Sequence, residues 1–192
     1  MDQQENQYPL LRGVPRENTL FFTGHRPEKL PDGAKLNDLL TLLHLYTELA
    51  VRKGYTHFFT GLADGIDYYA AEYLFQLRRS CPFIRIIGVQ PCDDYEAFFR
   101  RRGYSMPRLQ YMLANADTVI RLPGSSWNPQ VFLSRNRFMA DHSGAVIAVC
   151  GNERSGSMQA FRYAQRQGLR YCRICLEREH EPSGWDAERS GF

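Results

Sequence analysis

The sequence predicts an α/β fold: a doubly wound Rossmann-like domain of about six mostly parallel strands with helices on both faces. Three observations predict it. Short runs rich in Val, Ile and Phe alternate without a break with segments of helical apolar period. The stretches that follow the strands are dense in Gly, Pro, Asp and Ser. A chain of 192 residues with 43% hydrophobic composition can bury one core, so a single domain is expected at 18–176, between a polar arm at 1–17 and a polar, solvated tail at 177–192.

The elements follow in order. TLFFT at 19–23 reads as the first strand and ends in Gly24; the breaker-rich loop 24–33 follows it. Leu36, Leu39, Leu40, Leu43, Leu45 and Leu49 recur at helical spacing up to Lys53, where Gly54 is a stop. THFFT at 56–60 is the second strand; GLADGID at 61–67 leads into an Ala-rich and aromatic helix to about Arg79. FIRIIGV at 83–89 is the third strand, followed by two helical pieces broken near Gly103. TVIRL at 118–122 is the fourth; after the loop 123–129 comes a helix to about His142. The strand 145–150, the loop 151–155, the helix 158–167 and the strand 170–175 complete the pattern.

The formal charge of +3 conceals acidic ends, with Glu177, Glu179, Glu181, Asp186 and Glu188 near the C-terminus, around a basic body in which arginine far outnumbers lysine. Arginine's planar fork suits phosphates and carboxylates, which favours an anionic ligand, although a merely Arg-rich proteome gives the same composition. No apolar run approaches the roughly 20 residues needed to cross a bilayer, and Met1 to Gln7 lacks a basic start followed by an apolar run. No membrane partner and no secretory signal are therefore expected. The odd set Cys81, Cys92, Cys150, Cys172 and Cys175 points to a reducing compartment and a cytoplasmic location. Cys172 and Cys175 form a CxxC without a second ligand pair, and residues three apart in a strand point to opposite faces, so no metal site is expected.

In a doubly wound sheet, ligands bind beyond the carboxyl ends of the strands, where strand order reverses. The loops 24–33, 61–67, 91–94, 123–129 and 151–157 are thus the candidates. There is no GxGxxG and no GxxxxGK[ST], which disfavours ordinary dinucleotide dehydrogenase and P-loop readings, and no cofactor is implied.

Gly61-Leu62-Ala63-Asp64-Gly65-Ile66-Asp67, followed by Ala70 and Ala71, resembles the strand, Gly-x-Ala-x-Gly-Ile-Asp, helix element of the DprA/Smf proteins. Arg135-Asn136-Arg137 with the strand after it is similar to that family's Arg-Asn-Arg helix. Ser155-Gly156-Ser157 is similar to its Ser-Gly-Ser segment, and Thr23-Gly24-His25-Arg26 to its first loop. The opening Gly24-His25-Arg26-Pro27-Glu28-Lys29-Leu30 and the length fit the smaller YpsA-like branch of the SLOG superfamily. That resemblance implies a Rossmann-like fold, pairing of domains into homodimers, and a nucleotide-derived small molecule or, as in DprA, single-stranded nucleic acid as partner. The phosphoribohydrolase branch carries Pro-Gly-Gly-x-Gly-Thr-x-x-Glu after the fifth strand; here the double glycine is missing and Ala160 stands where the acid belongs. Cleavage of a glycosidic bond would lack its acid or base unless Asp64, Asp67 or Glu28 substitutes.

The candidate ligand-binding residues are Thr23, Gly24, His25, Arg26, Gly61, Asp64, Gly65, Asp67, Arg135, Asn136, Ser155, Gly156 and Ser157; no catalytic residue is assigned. Arg26 reads as a phosphate partner or a solvated loop charge, and His25 as a loop hydrogen-bonder. Asp64 and Asp67 bind a ligand or cap the following helix, and Arg137 with Asp141 fits an i,i+4 ion pair. Trp127 stacks on a base or packs in its own turn; Arg100, Arg101, Arg102 and Arg108 read as a wet helix face and, secondarily, as a nucleic-acid patch. Tyr68, Tyr69, Tyr73 and Phe75 serve either an interface or the sheet. The expectation is a ligand-binding or sensor domain for a nucleotide or nucleotide-derived phosphate rather than an enzyme.

Overall fold

The computed structural model describes residues 8–175 and 187–190. Its strands are β1 Thr19–Gly24, β2 His57–Thr60, β3 Arg85–Gln90, β4 Thr118–Arg121, β5 Ala145–Val149, β6 Arg170–Ile174 and β7 Ala187–Ser190. Six α-helices lie among them: α1 Gly33–Arg52, α2 Ile66–Leu77, α3 Tyr95–Arg102, α4 Met106–Asn115, α5 Pro129–Asp141 and α6 Gly156–Arg166.

The sheet order is β4-β3-β2-β1-β5-β6-β7. All pairs from β4 to β6 are parallel, and β7 joins β6 antiparallel. The chain winds outward from β1 to β4, crosses back, and continues from β5 on the other side of β1. The order therefore reverses between β1 and β5, which pair in register from Leu20 with Ala145 to Gly24 with Val149. A crevice opens there because the connections leaving β1 and β5 depart to opposite faces.

Side-chain alternation sorts the core into two layers. Leu20, Phe22, Phe58, Ile86 and Ile147 face one cluster, built with Leu39 and Leu43 of α1, Ile66 and Leu74 of α2, Phe99 of α3 and Met112 of α4. Phe21, Phe59, Ile87, Val146 and Ala148 face the other, built with Met139 of α5 and Phe161 and Ala164 of α6. Period-two burial on both faces is what a central parallel strand requires.

Three features depart from the sequence expectation. Ala187–Ser190 falls within the expected solvated tail, yet its backbone pairs with β6 from Tyr171 to Ile174; the rest of 177–192 lies outside the described residues. The arm expected at 1–17 is held from Tyr8 onward, because Tyr8, Leu11 and Val14 pack on the second cluster and Tyr8 meets the Phe138 ring edge-on at 4.9 Å. Arg137 and Asp141 do not pair; Tyr163 comes between them, donating its hydroxyl to Asp141 Oδ1 at 2.8 Å and lying 5.7 Å from the Arg137 guanidinium. No helix among the described residues is long and apolar enough to cross a membrane.

Candidate functional site

Beyond the β1 and β5 ends lies a cavity of about 230 Å³. It is lined by 23–26 and by Glu28 and Lys29 from the β1 loop, Ala63 and Asp67 from the start of α2, Phe132, Arg135 and Asn136 from α5, and Ser155, Gly156 and Ser157 from the start of α6. Most of the candidates named from sequence meet here, although they come from four separate segments. Gly61, Asp64 and Gly65 do not line it.

His25 ties the crevice together. Its N–H donates to the Val149 carbonyl at 3.2 Å, its own carbonyl accepts from the Ile66 N–H at 3.2 Å, and its Nε2 accepts from the Gly151 N–H at 3.3 Å. An acceptor at Nε2 keeps the ring proton on Nδ1. The ring is buried, which pushes its pKa down; the Glu153 carboxylate, 3.7 Å away, opposes that shift, and Lys29 adds to it. His25 is thus the hydrogen-bonder expected of it, and one that joins three elements.

The 61–67 loop is packed against this frame rather than open to it. Leu62, fully buried, adopts a left-handed φ of +55°, an uncommon conformation for a residue with a side chain. A Cβ on Gly24 would fall 2.4 Å from Ile66 Cβ, and one on Gly61 would fall 2.7 Å from both Arg135 Cζ and Asp67 Oδ2. Arg135 therefore crosses over Gly61, donating from Nη1 to the Gly61 carbonyl at 2.6 Å and from Nε and Nη2 to Asn136 Oδ1. That leaves the Nδ2 group as the donor Asn136 can offer a ligand.

Neither carboxylate of the loop is the N-cap of α2, since that position is Gly65, which has no side chain to accept from the first-turn N–H groups. Asp64 accepts from the N–H groups of Gly65 and Ser105 and from Arg108 Nη1 at 3.0 Å, tying α2 to the start of α4. This removes Arg108 from a purely wet helix face. Asp67 is buried beneath the cavity; desolvation raises its pKa against the pull of Arg135 and Arg26 and of backbone N–H groups from Ala63 and Gly61.

The α6 start is different. Ser155 caps it, accepting from the Met158 N–H at 3.1 Å, and a Cβ on Gly156 would meet nothing within 4 Å. First-turn N–H groups have no intrahelical acceptor and carry the positive end of the helix dipole, so this end can receive an anion.

Arg26 closes the opposite wall. Its guanidinium lies 5.1, 5.9 and 6.0 Å from the ring centroids of Tyr104, Phe98 and Phe132, and its Nη1 is buried without a hydrogen-bond partner. Lys29 pairs with Glu153 at 2.9 Å, and Glu28 accepts from the Tyr104 hydroxyl at 3.0 Å. Trp127 packs against Phe98 at 5.2 Å and under the Arg101 guanidinium at 5.4 Å, outside the cavity lining.

The model of the YspA SLOG family, YpsA, matches residues 20–171. The chain belongs to this SLOG family. The chain is 28% identical over 156 residues to YoqJ, an uncharacterized SPbeta prophage-derived protein of Bacillus subtilis (strain 168), with 73% of this chain and 86% of YoqJ covered. Among solved structures it is similar to DNA processing protein A (DprA) of Streptococcus pneumoniae, with a TM-score of 0.57 and 19% identity over 84% of this chain. It is also similar to DNA processing protein A of Helicobacter pylori, described for its single-stranded DNA binding mode, with a TM-score of 0.56 and 20% identity over 86% of this chain. The chain spans 52% and 68% of those two proteins. These likenesses concern the fold.

Sequence reasoning missed Phe132, Phe22, Ala63 and Lys29 as lining residues, and named Glu28 only as a substitute acid. The first was within reach: Phe132, Arg135 and Asn136 stand at i, i+3 and i+4, one face of a helix. Phe98 and Tyr104 come from a segment with no motif, and only packing brings their rings to Arg26. Of the aromatic quartet, Phe75 is buried, while Tyr68 donates to Glu72 and Tyr73 to Glu48, with Tyr73 stacked on His44.

Proposed function

We propose that this SLOG domain binds a nucleotide or nucleotide-derived phosphate in the cavity between β1 and β5, as a ligand-binding or sensor domain of the cytoplasm. The observation that carries the reading is the convergence, at the point of strand reversal, of an open helix N-terminus at 155–157 with the cations Arg26, Lys29 and Arg135. An anion there meets donors from α6, while Asn136 and Glu28 offer a donor and an acceptor to hydroxyl or base edges. Arg26 supplies a charge-assisted contact, and its unpartnered Nη1 supports that role, since a buried donor gains most from a new acceptor.

The test is calorimetric titration with nucleoside monophosphates, nucleoside diphosphates and ADP-ribose. Saturable binding without turnover is expected, weakened about tenfold to a hundredfold by Arg26→Ala. Equal affinity in parent and variant removes Arg26 from the site, and no binding to any compound ends the reading.

A second reading is hydrolysis at an N-glycosidic bond. It is favoured by Asp67, a cavity carboxyl held above its ordinary range and so suited to donate a proton. Release of free base from a nucleoside monophosphate, lost in Asp67→Asn, would select it. Single-stranded nucleic acid is the third; it would show as oligonucleotide affinity falling steeply with salt.

A further inference from the structure

We propose that the ring wall behind Arg26, formed by Phe98, Tyr104 and Phe132, is a subsite for a flat ring of the ligand, and that Arg26 occupies it in the free protein. The inference rests on the nucleotide reading of the cavity and adds where the base goes.

Three observations carry it. The guanidinium lies within 6.0 Å of all three ring centroids, so a planar group already fills the space between them. Of the three rings only Phe132 lines the open cavity, which puts Arg26 between the cavity and the other two. The buried Nη1 has no acceptor. The rings, the Tyr95 hydroxyl and the Asp67 carboxylate hold the guanidinium here, but the Nη1 protons lack a partner that an anion would provide.

An anion at the α6 start therefore favours a guanidinium drawn out of the wall, where its planar fork binds phosphate. The space it leaves is flat and bounded by aromatic faces, the environment in which nucleobases stack. The size of the cavity points the same way. At about 230 Å³ it lies below the roughly 300–1,000 Å³ common for ligand pockets, and withdrawal of Arg26 extends it.

The subsite makes a prediction of opposite signs. Ribose 5-phosphate, which has the anion and no ring to stack, binds Arg26→Ala about tenfold more weakly than the parent. Adenosine, which has the ring and no phosphate, binds Arg26→Ala more tightly than the parent, because the wall is already vacant. Tyr104→Leu weakens adenosine monophosphate about tenfold and leaves ribose 5-phosphate unchanged. Tyr104→Phe, which keeps the ring and loses the hydroxyl to Glu28, restores the parent value. Trp127 reports the event: with Trp185→Phe in the background, its fluorescence through the Phe98 contact changes on adding adenosine monophosphate and not ribose 5-phosphate.

Unchanged, weaker or undetectable adenosine binding in Arg26→Ala overturns the subsite, as does equal loss of both phosphate compounds in Tyr104→Leu. If the parent binds both phosphate compounds alike and Tyr104→Leu changes neither, the cavity reading stands and the ring subsite falls. If the parent binds neither compound, both fall.

Discussion

At the start of α2, Gly65 stands at φ +95°, and a Cβ added to it would come within 2.4 Å of the His25 carbonyl oxygen; at the start of α6, Gly156 has nothing within 4 Å of the same position. From sequence both glycines read as places where a ligand approaches the backbone. The difference lies in what surrounds them. At α2 the protein itself makes the approach: the Ile66 N–H is used by His25, the Gly65 N–H by Asp64, and the Asp67 carboxylate turns back toward Gly61. At α6 only the Met158 N–H is capped, and the first turn faces the cavity. A glycine beside a helix start signals close approach, and the approaching group can belong to the same chain.

The largest effect that would break this comparison is steric. Gly65→Val places a branched side chain against backbone at a left-handed φ and should lower stability by about 3 kcal/mol or more, roughly 10 °C in melting temperature. It therefore perturbs the fold rather than reporting on the ligand. Gly156→Val should shift the melting temperature by no more than about 2 °C and weaken nucleotide binding about tenfold or more, by occupying space beside the anion. If the two variants melt alike, the contrast between the two helix starts is wrong.

The loop serine and aspartate sharpen the contrast at smaller magnitude. Asp64→Ala leaves the Gly65 and Ser105 N–H groups and Arg108 without their acceptor and should cost about 2 kcal/mol, with nucleotide affinity unchanged at temperatures where the protein is folded. Ser155→Ala removes a single cap bond and should cost about 1 kcal/mol. Denaturant titration of both, with calorimetry, checks the pair. An affinity loss in Asp64→Ala without a stability loss would move Asp64 into the site.

The smallest effect is set by pH at the residue linking the two regions. Burial holds the folded-state pKa of His25 below its ordinary value, so the unfolded chain takes up a proton before the folded chain does. Its contribution to stability is full above about pH 6.5 and is lost as the pH falls below that value toward the folded-state pKa. His44 and His57 are lowered by burial too and contribute slopes of the same sign. Melting temperatures measured from about pH 8 to about pH 5 should fall on acidification, and less steeply in His25→Gln. An identical slope in the variant would show that Glu153 offsets the burial of His25.

Local pattern was enough for the elements of this fold. Period-two runs such as Phe58 and Phe59, whose side chains enter opposite clusters, and the leucine spacing of α1 are properties of neighbouring residues. So is the alternation that requires parallel crossovers, and the position of the ligand-bearing loops follows from it. The motifs shared with SLOG proteins also brought Arg26, Arg135 and Ser155 into one list before any coordinates placed them together.

What the sequence determined by itself was therefore which segments form strands and helices and which loops lie at the strand ends, because these depend on spacing over a few residues. Tertiary structure alone decided that Asp64 turns to Ser105 and Arg108 and away from the cavity, and that Gly65 is crowded by His25. It alone brought Phe98 and Tyr104 around the Arg26 guanidinium and paired the backbone of 187–190 with β6. Each of these depends on contacts between residues 40 or more positions apart or on hydrogen bonds with no local period, except for the β6–β7 pairing across roughly 15 residues. A carboxylate or a guanidinium written in a loop has several partners within reach of the chain, and the packing of the helices determines which one it meets.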